Sequence, residues 1–75
     1  MEYAVVFDLS PGATGAYYVI GEVVWHQSRV CQVVGTVRLG GQRFRATLRP
    51  LPRPTPDQRK EAERWRRRFP AAGGR

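Results

Sequence analysis

The sequence predicts an α+β domain: a four-stranded antiparallel β-meander with one C-terminal α-helix packed on one face of the sheet. Three observations favour this class. Residues 2–9 and 29–49 alternate apolar and polar side chains, which is the period of strands with one buried face. Gly40-Gly41 interrupts the second stretch where a hairpin turn needs positive φ angles. Thr55-Pro56 then opens a segment with helical spacing.

The first two predicted strands are residues 2–9 and 16–25, joined by an exposed, mobile loop at residues 10–15. The second of these strands is apolar on both sides, which is typical of a central strand. A three-residue loop at residues 26–28 is preferred after it, since a two-residue loop places Glu22 opposite Val33 in the core.

The next two strands form a hairpin whose register follows from a turn at Gly40-Gly41. Arg38 then faces Arg43, and Val33 faces Leu48. Because side chains alternate between the two faces, one face becomes a core and the other a basic patch. The predicted core face carries Cys31, Val33, Val37, Leu39, Phe44, Ala46 and Leu48. The predicted basic face carries Gln32, Val34, Thr36, Arg38, Arg43, Arg45, Thr47 and Arg49.

A stiff proline-rich crossover at residues 50–56 leads from the sheet to a helix predicted at residues 56–69. Thr55 is the expected N-cap, and Gln58 completes a capping box. Gly21 and Gly35 leave a trough in the core face that Trp65 is expected to fill.

The predicted domain is a single one spanning residues 1–69, and residues 70–75 are an expected disordered tail. A closed five-stranded barrel is the alternative fold, and it requires a bend that divides the long strands.

Composition indicates a class of binding partner, but it indicates no particular activity. The chain has 75 residues, and 13 basic against six acidic residues give a net charge of +7, which favours polyanionic partners. One cysteine excludes an intrachain disulfide, and the sequence shows no metal-ligand spacing and no cofactor motif. With no apolar run of membrane-spanning length and no export signal, a cytoplasmic protein without a membrane contact is expected.

The sequence predicts a protein that is not an enzyme. His26 falls in a predicted turn, and Cys31 points into the predicted core. The carboxylates form no close pair on one face, apart from Asp8 and Glu22, which the sheet could make neighbours. A small basic ribonuclease of the toxin kind remains an alternative, since it needs only an acid, a base and a basic groove.

Nucleic-acid binding, to RNA or DNA, is the function that the charge pattern favours. Facing arginines repel each other unless an anion or an acidic side chain lies between them, and a nearby tyrosine could stack a base. A homodimer without a nucleic-acid role is the first alternative, and a partner-protein module is the second. The residues predicted to contact nucleic acid are Arg38, Arg43, Arg45, Arg49, Tyr18, Arg64, Arg67 and Arg68.

The opening MEYAVVFDLSPGATGAYYVI resembles the first hairpin of HicB-type antitoxins, in which an M-x-Y strand is followed by a glycine-bearing turn and a Gly-Tyr strand. The resemblance covers about a quarter of the chain and implies a hairpin there. The Pro-Glu/Asp-Leu-Pro-Gly segment that those proteins carry next is replaced here by GEVVWHQSR. No functional role is carried over for this reason.

Overall fold

The computed structural model describes residues 1–9 and 17–69, which form one antiparallel sheet with a helix packed against it. The predicted α+β class, with four antiparallel strands and a C-terminal helix, is confirmed. The loop predicted at residues 10–15 and the tail predicted at residues 70–75 lie outside the described residues. The elements are β1 (Tyr3–Asp8), β2 (Val23–His26), β3 (Arg29–Gly40), β4 (Arg43–Pro50) and α1 (Pro56–Arg68).

The strand order is β1-β4-β3-β2, which differs from a simple meander in the position of β1. Strand β1 pairs with β4, and within residues 1–9 and 17–69 it forms no hairpin with the segment that follows it, contrary to what the antitoxin resemblance implies. Opposed residues share a face of the sheet, and this pairing joins apolar side chains to apolar side chains. The three apolar pairs are Tyr3↔Leu48, Val5↔Ala46 and Phe7↔Phe44.

Strands β1 and β2 are the two edges of this sheet, and the sheet curls enough for their side chains to meet. Tyr3 Oη lies 2.7 Å from His26 Nδ1, and the two rings lie 5.3 Å apart. The backbone ladder nevertheless stays open between these edges in the described part of the chain. The five-stranded barrel is therefore not the fold observed for residues 1–9 and 17–69.

The predicted three-residue loop between β2 and β3 is wrong, because His26 pairs directly with Arg29 across a two-residue turn. Gln27 and Ser28 form the turn with φ angles of 49° and 64°. This register brings the Glu22 carbonyl to the Val33 N–H, 2.9 Å away, which is the neighbour that the longer loop avoids. The structure accommodates Glu22 because its carboxylate reaches Arg68, 3.6 Å away, at the edge of the sheet.

The hairpin of β3 and β4 has the predicted register at its base and a shifted register towards its tip. Val33 faces Leu48 as predicted, but register shifts follow between Val33 and Gly35 and again between Arg38 and Gly40. Each shift adds one residue to β3 and moves the residues beyond it to the opposite face. The turn consequently falls at residues 41–42, flanked by the pair Gly40↔Arg43, and not at Gly40-Gly41.

These shifts overturn two predicted core positions. Val37 lies opposite Arg45 and is 51% exposed, and Leu39 is 47% exposed. The predicted burial of Phe44, Ala46 and Leu48 on β4 is retained, because β4 has no extra residue: Ala46 and Leu48 are buried and Phe44 is half-buried. We call the sheet face that carries these three side chains the inner face and the opposite one the outer face.

The core lies on the inner face and joins all four strands to the helix. Trp65 enters it from α1 and packs against Tyr18, with the ring centroids 5.3 Å apart, while its Nε1–H donates to the Tyr17 carbonyl at 3.1 Å. The prediction that Trp65 fills a trough at Gly21 and Gly35 is wrong, since a Cβ atom on either glycine would meet no atom of the described chain within 4 Å, and Gly35 lies opposite Thr47 on the outer face. The core residues are Phe7, Tyr18, Val24, Cys31, Val33, Ala46, Leu48 and Trp65.

Helix α1 begins at the predicted cap. Thr55 Oγ1 accepts a hydrogen bond from the Gln58 N–H at 3.1 Å, and Gln58 Oε1 accepts one from the Thr55 N–H at 2.8 Å. Both partners of the capping box are therefore satisfied, as predicted. The helix ends at Arg68, with Phe69 as the C-cap residue, one residue earlier than predicted.

The helix packs mainly against edge strand β2. Glu61 Oε2 accepts a hydrogen bond from the Val23 N–H at 2.9 Å. An edge strand presents unpaired backbone groups, and this contact satisfies one of them. The contacts of α1 thus cover β2, while β1 is the edge at the far side of the sheet.

Candidate nucleic-acid interface

Three of the predicted arginines share the outer face of β4. Arg43, Arg45 and Arg49 are all exposed. They occupy odd-numbered positions of the strand, whereas Ala46 and Leu48 occupy even positions and are buried. We call these three arginines the β4 row.

Carboxylates of the same chain lie beside both ends of the β4 row. Glu2 Oε2 is 2.8 Å from Arg49 Nη2 and 3.1 Å from Arg49 Nε. Asp8 lies directly opposite Arg43 in the register of β1 and β4. Glu2 therefore neutralises Arg49 at one end of the β4 row within a single chain, and the attraction of the row for an anion is reduced.

The centre of the β4 row has apolar neighbours. Arg45 lies between Val6 on β1 and Val37 on β3, which are 57% and 51% exposed. Two exposed valines beside a guanidinium form a mixed surface of the kind found at protein interfaces. The sequence placed Val37 in the core, so this surface could not be predicted without the bulge in β3.

Arg38 does not belong to the β4 row. It lies opposite Phe44, on the inner-face side of the hairpin tip, and its Nε–H donates to the Gly41 carbonyl at 2.9 Å. The predicted like-charge pair of Arg38 and Arg43 is therefore absent, because the extra residue in β3 turns Arg38 to the other face.

Tyr18 is not a surface stacking platform. It is 6% exposed and packs in the core between Phe7 and Trp65, at ring-centroid distances of 5.2 and 5.3 Å. Burial, with a smaller contribution from Cys31, raises the pKa of its hydroxyl. The neighbouring Tyr17 is the exposed tyrosine, at 50%. The sequence places the two tyrosines side by side, and local pattern alone does not decide which one enters the core.

The helix carries a second basic surface, which we call the helix stripe: Lys60, Arg64 and Arg67. These residues are spaced i, i+4 and i+7, so they lie on one side of the helix, and all three are exposed. Lys60 was missing from the predicted contacts although its spacing from Arg64 indicates it. Within residues 1–9 and 17–69, no ion pair involves any member of the stripe.

Arg68 differs from the helix stripe although it was predicted with it. Its Nη2 lies 3.6 Å from Glu22 Oε2, and its guanidinium lies 5.1 Å from the centre of the Phe69 ring. It is thus already engaged by the protein. Glu22 Oε1 is buried and has no hydrogen-bond partner among the described residues. Burying this carboxylate oxygen lowers stability, and the ion pair of Glu22 with Arg68 offsets part of the loss.

The two residues with catalytic potential form a polar cluster inside the curl of the sheet. Tyr3 Oη contacts His26 Nδ1 at 2.7 Å and Cys31 Sγ at 3.4 Å. Cys31 is fully buried, as predicted. Burial, with a smaller effect of Arg29, lowers the pKa of His26, while burial and the contact with Cys31 raise the pKa of Tyr3. The cluster joins strands and offers no exposed nucleophile.

Two further classes of site are absent from the described part of the chain. Residues 1–9 and 17–69 contain no group of three or more His, Cys, Asp or Glu side chains that could hold a metal ion. Among the same residues, no helix has the length and apolar character needed to cross a membrane. Comparisons with protein-family models, curated proteins and solved structures found no match.

Proposed function

We propose that this protein binds nucleic acid through the phosphate backbone, with the helix stripe as the main contact and the β4 row as a second one. The observation that carries the proposal is the exposed stripe of Lys60, Arg64 and Arg67, none of which forms an ion pair with the described residues. A net charge of +7 adds a long-range attraction for polyanions.

Three acidic side chains on or beside the helix are engaged in other contacts. Glu61 accepts the hydrogen bond from the Val23 N–H, and Glu63 lies 3.4 Å from Arg66 Nη1. Glu22 holds Arg68. Because these carboxylates have partners of their own, the three cations of the stripe retain their attraction for an external anion.

The proposed binding is independent of base sequence. Phosphate contacts position a protein on nucleic acid, but they carry no direct sequence information. Tyr18 is buried and offers no ring to a base. We therefore propose a surface that follows the charge of the backbone, and we expect its affinity to depend strongly on salt.

The test is a salt titration of binding to fluorescent single- and double-stranded oligonucleotides, followed by anisotropy. The variant R64A/R67A removes two exposed cations without touching the core. We expect the slope of log affinity against log salt to become shallower by about two, since each lost phosphate contact changes it by about one. The matched control is R38A/R53A, which removes the same charge at two exposed arginines, one at the tip of β3 and one in the crossover, that belong to neither the stripe nor the β4 row.

This titration has three informative results, one that supports the proposal and two that contradict it. A shallower slope in R64A/R67A with a nearly unchanged slope in R38A/R53A supports the helix stripe. Equal effects of the two double variants contradict it, because then net charge alone is responsible. Absence of binding at low salt removes the nucleic-acid proposal altogether.

A homodimer formed through the outer face is the second candidate function, and the exposed Val6 and Val37 favour it. These side chains flank Arg45, while Glu2 pairs with Arg49 on the same face. A face that carries both charge signs around an apolar centre can be complementary to a copy of itself across a two-fold axis.

A further inference from the structure

A groove lies between the start of β3, the crossover and the side of α1 next to the helix stripe. Its volume is about 650 Å³, and small-molecule sites range from about 300 to 1,000 Å³. Most of its wall is apolar, which also fits such a site. The lining residues that matter here are Trp25, Arg29, Leu51, Pro52, Pro54 and Arg59.

The apolar wall of the groove is held in place by the backbone. The Leu51 N–H donates to the Val30 carbonyl at 2.8 Å, which ties the crossover to β3. Pro50, Pro52 and Pro54 stiffen the segment because each ring fixes its own φ angle. A rigid wall loses little conformational entropy when a ligand binds, so the groove is preorganised.

The aromatic floor of the groove is also held in position. The Arg66 guanidinium lies 4.9 Å from the centre of the Trp25 ring, within cation–π distance. Arg66 Nη1 also lies 3.4 Å from Glu63 Oε2, so the one acid among the described residues that line the groove is neutralised from within the chain.

The charges that remain at the rim are two arginines. Arg29 begins β3 and Arg59 lies in the first turns of α1, and both are exposed. No described ion pair involves either of them. An apolar groove with two guanidiniums at its rim is complementary to a ligand with an apolar ring and an anionic group.

The turn beside this groove adds an independent observation. Ser28 lines the groove and has a φ angle of 64°, a conformation that L-residues adopt at a cost. Strained residues of this kind cluster at ligand sites, where the surrounding structure holds them. The φ angle at position 28 favours glycine, but the residue there is a serine, and this serine lines the groove.

We propose that this groove binds a small aromatic anion, a planar ring joined to a phosphate or a carboxylate. The ring packs against Trp25, Leu51 and the prolines, and the anionic group accepts hydrogen bonds from Arg29 and Arg59. The helix stripe takes no part, since Lys60, Arg64 and Arg67 lie outside the lining of the groove. The site is therefore distinct from the proposed nucleic-acid surface and goes beyond it.

The experiment is a ¹H–¹⁵N NMR titration of the full chain with AMP as the phosphate probe and indole-3-acetate as the carboxylate probe. We expect saturable shifts of the Trp25 indole N–H and the Leu51 amide with at least one of the two. The ring without its charge, adenosine, and the charge without its ring, inorganic phosphate, should each bind at least about tenfold more weakly. The better of the two anionic probes identifies the anionic group.

The variant R59Q tests the rim. We expect about a tenfold loss of affinity or more, because a charge-assisted hydrogen bond is removed. The matched control with unchanged affinity is R38Q, at an exposed arginine of the hairpin tip outside the lining of the groove. Absence of shifts at Trp25 with both probes overturns the proposal. Shifts that centre on the helix stripe and disappear in R64A/R67A also overturn it, and they would support the nucleic-acid surface instead.

Discussion

His26 shows at the scale of single residues how the curl of the sheet changes the chemistry of a side chain. Read from the sequence, it is a turn histidine with an ordinary environment. In the structure its Nδ1 meets Tyr3 Oη from β1, Arg29 lies opposite it on β3, and Cys31 touches the same hydroxyl. Burial and the Arg29 charge both disfavour the imidazolium form, so the pKa of His26 falls below its ordinary 6.5.

This lowered pKa predicts how stability depends on pH. The unfolded chain binds a proton at His26 with a pKa near 6.5, whereas the folded chain binds it less readily. The contribution is therefore fully present above pH 6.5 and is lost as the pH falls below that value towards the folded pKa.

Urea unfolding between about pH 7.5 and pH 5 checks this prediction. We expect the free energy of unfolding of the wild-type protein to fall more steeply towards pH 5 than that of H26Q, which cannot titrate at this position. Parallel curves for the two proteins would show that other groups cause the pH dependence.

Turns matter most at the scale of the elements, because one residue in a turn sets the register of a whole strand. The three-residue loop before β3 was predicted because it keeps Glu22 from lying opposite the buried Val33. The observed two-residue turn is accommodated because Arg68 of α1 forms an ion pair with Glu22. The residue types glutamine and serine also do not predict the positive φ angles that Gln27 and Ser28 adopt in this turn.

The strain in this turn predicts a stabilising substitution. Ser28 has a φ angle of 64°, and S28G should raise the free energy of unfolding by about 0.5–1 kcal/mol, since glycine adopts this angle without a steric penalty. Gly41, with a φ angle of 54°, is the matched opposite: G41A should lower stability by a similar amount. Urea unfolding measures both, and a loss of stability in S28G would contradict the prediction.

Helix α1 is the element that the sequence predicted most accurately. Its cap and its buried Trp65 depend on neighbours within a few positions of the chain. Its role is larger than the sequence indicates, because Glu61 satisfies a backbone group of β2 and Arg68 holds Glu22. The helix thereby closes one edge of the sheet.

At the scale of the whole molecule, the described residues leave the opposite edge and the outer face uncovered. Strand β1 is an edge of the sheet, and Val6 on it is 57% exposed. An apolar surface at an edge strand favours self-association. This arrangement leads to a direct test of the second candidate function.

Light scattering of V6K tests the outer-face dimer. Lysine at position 6 would face Arg45 and place a charge in the apolar centre, so a dimer formed there should dissociate. The matched control is I20K, since Ile20 is 61% exposed but lies on the inner-face side, beside Phe44. A monomeric wild-type protein, or equal masses for wild type and V6K, excludes this dimer.

The sequence by itself determined the types of the elements, the cap of α1, and the buried side of β4. Each of these depends on residues a few positions apart, through alternation along a strand or hydrogen bonds within one helical turn. The prediction of exposed arginines at positions 43, 45 and 49 has the same basis, because β4 keeps an unbroken alternation.

Only the tertiary structure decided the partner of β1, the face of Arg38 and the burial of Tyr18. Pairing β1 with β4 joins residues about 40 positions apart, and the alternating pattern of β1 fits several partners equally well. One extra residue in β3 reversed the faces of Val37 and Arg38. The candidate sites changed for the same reason: they depend on which distant side chains the fold brings together.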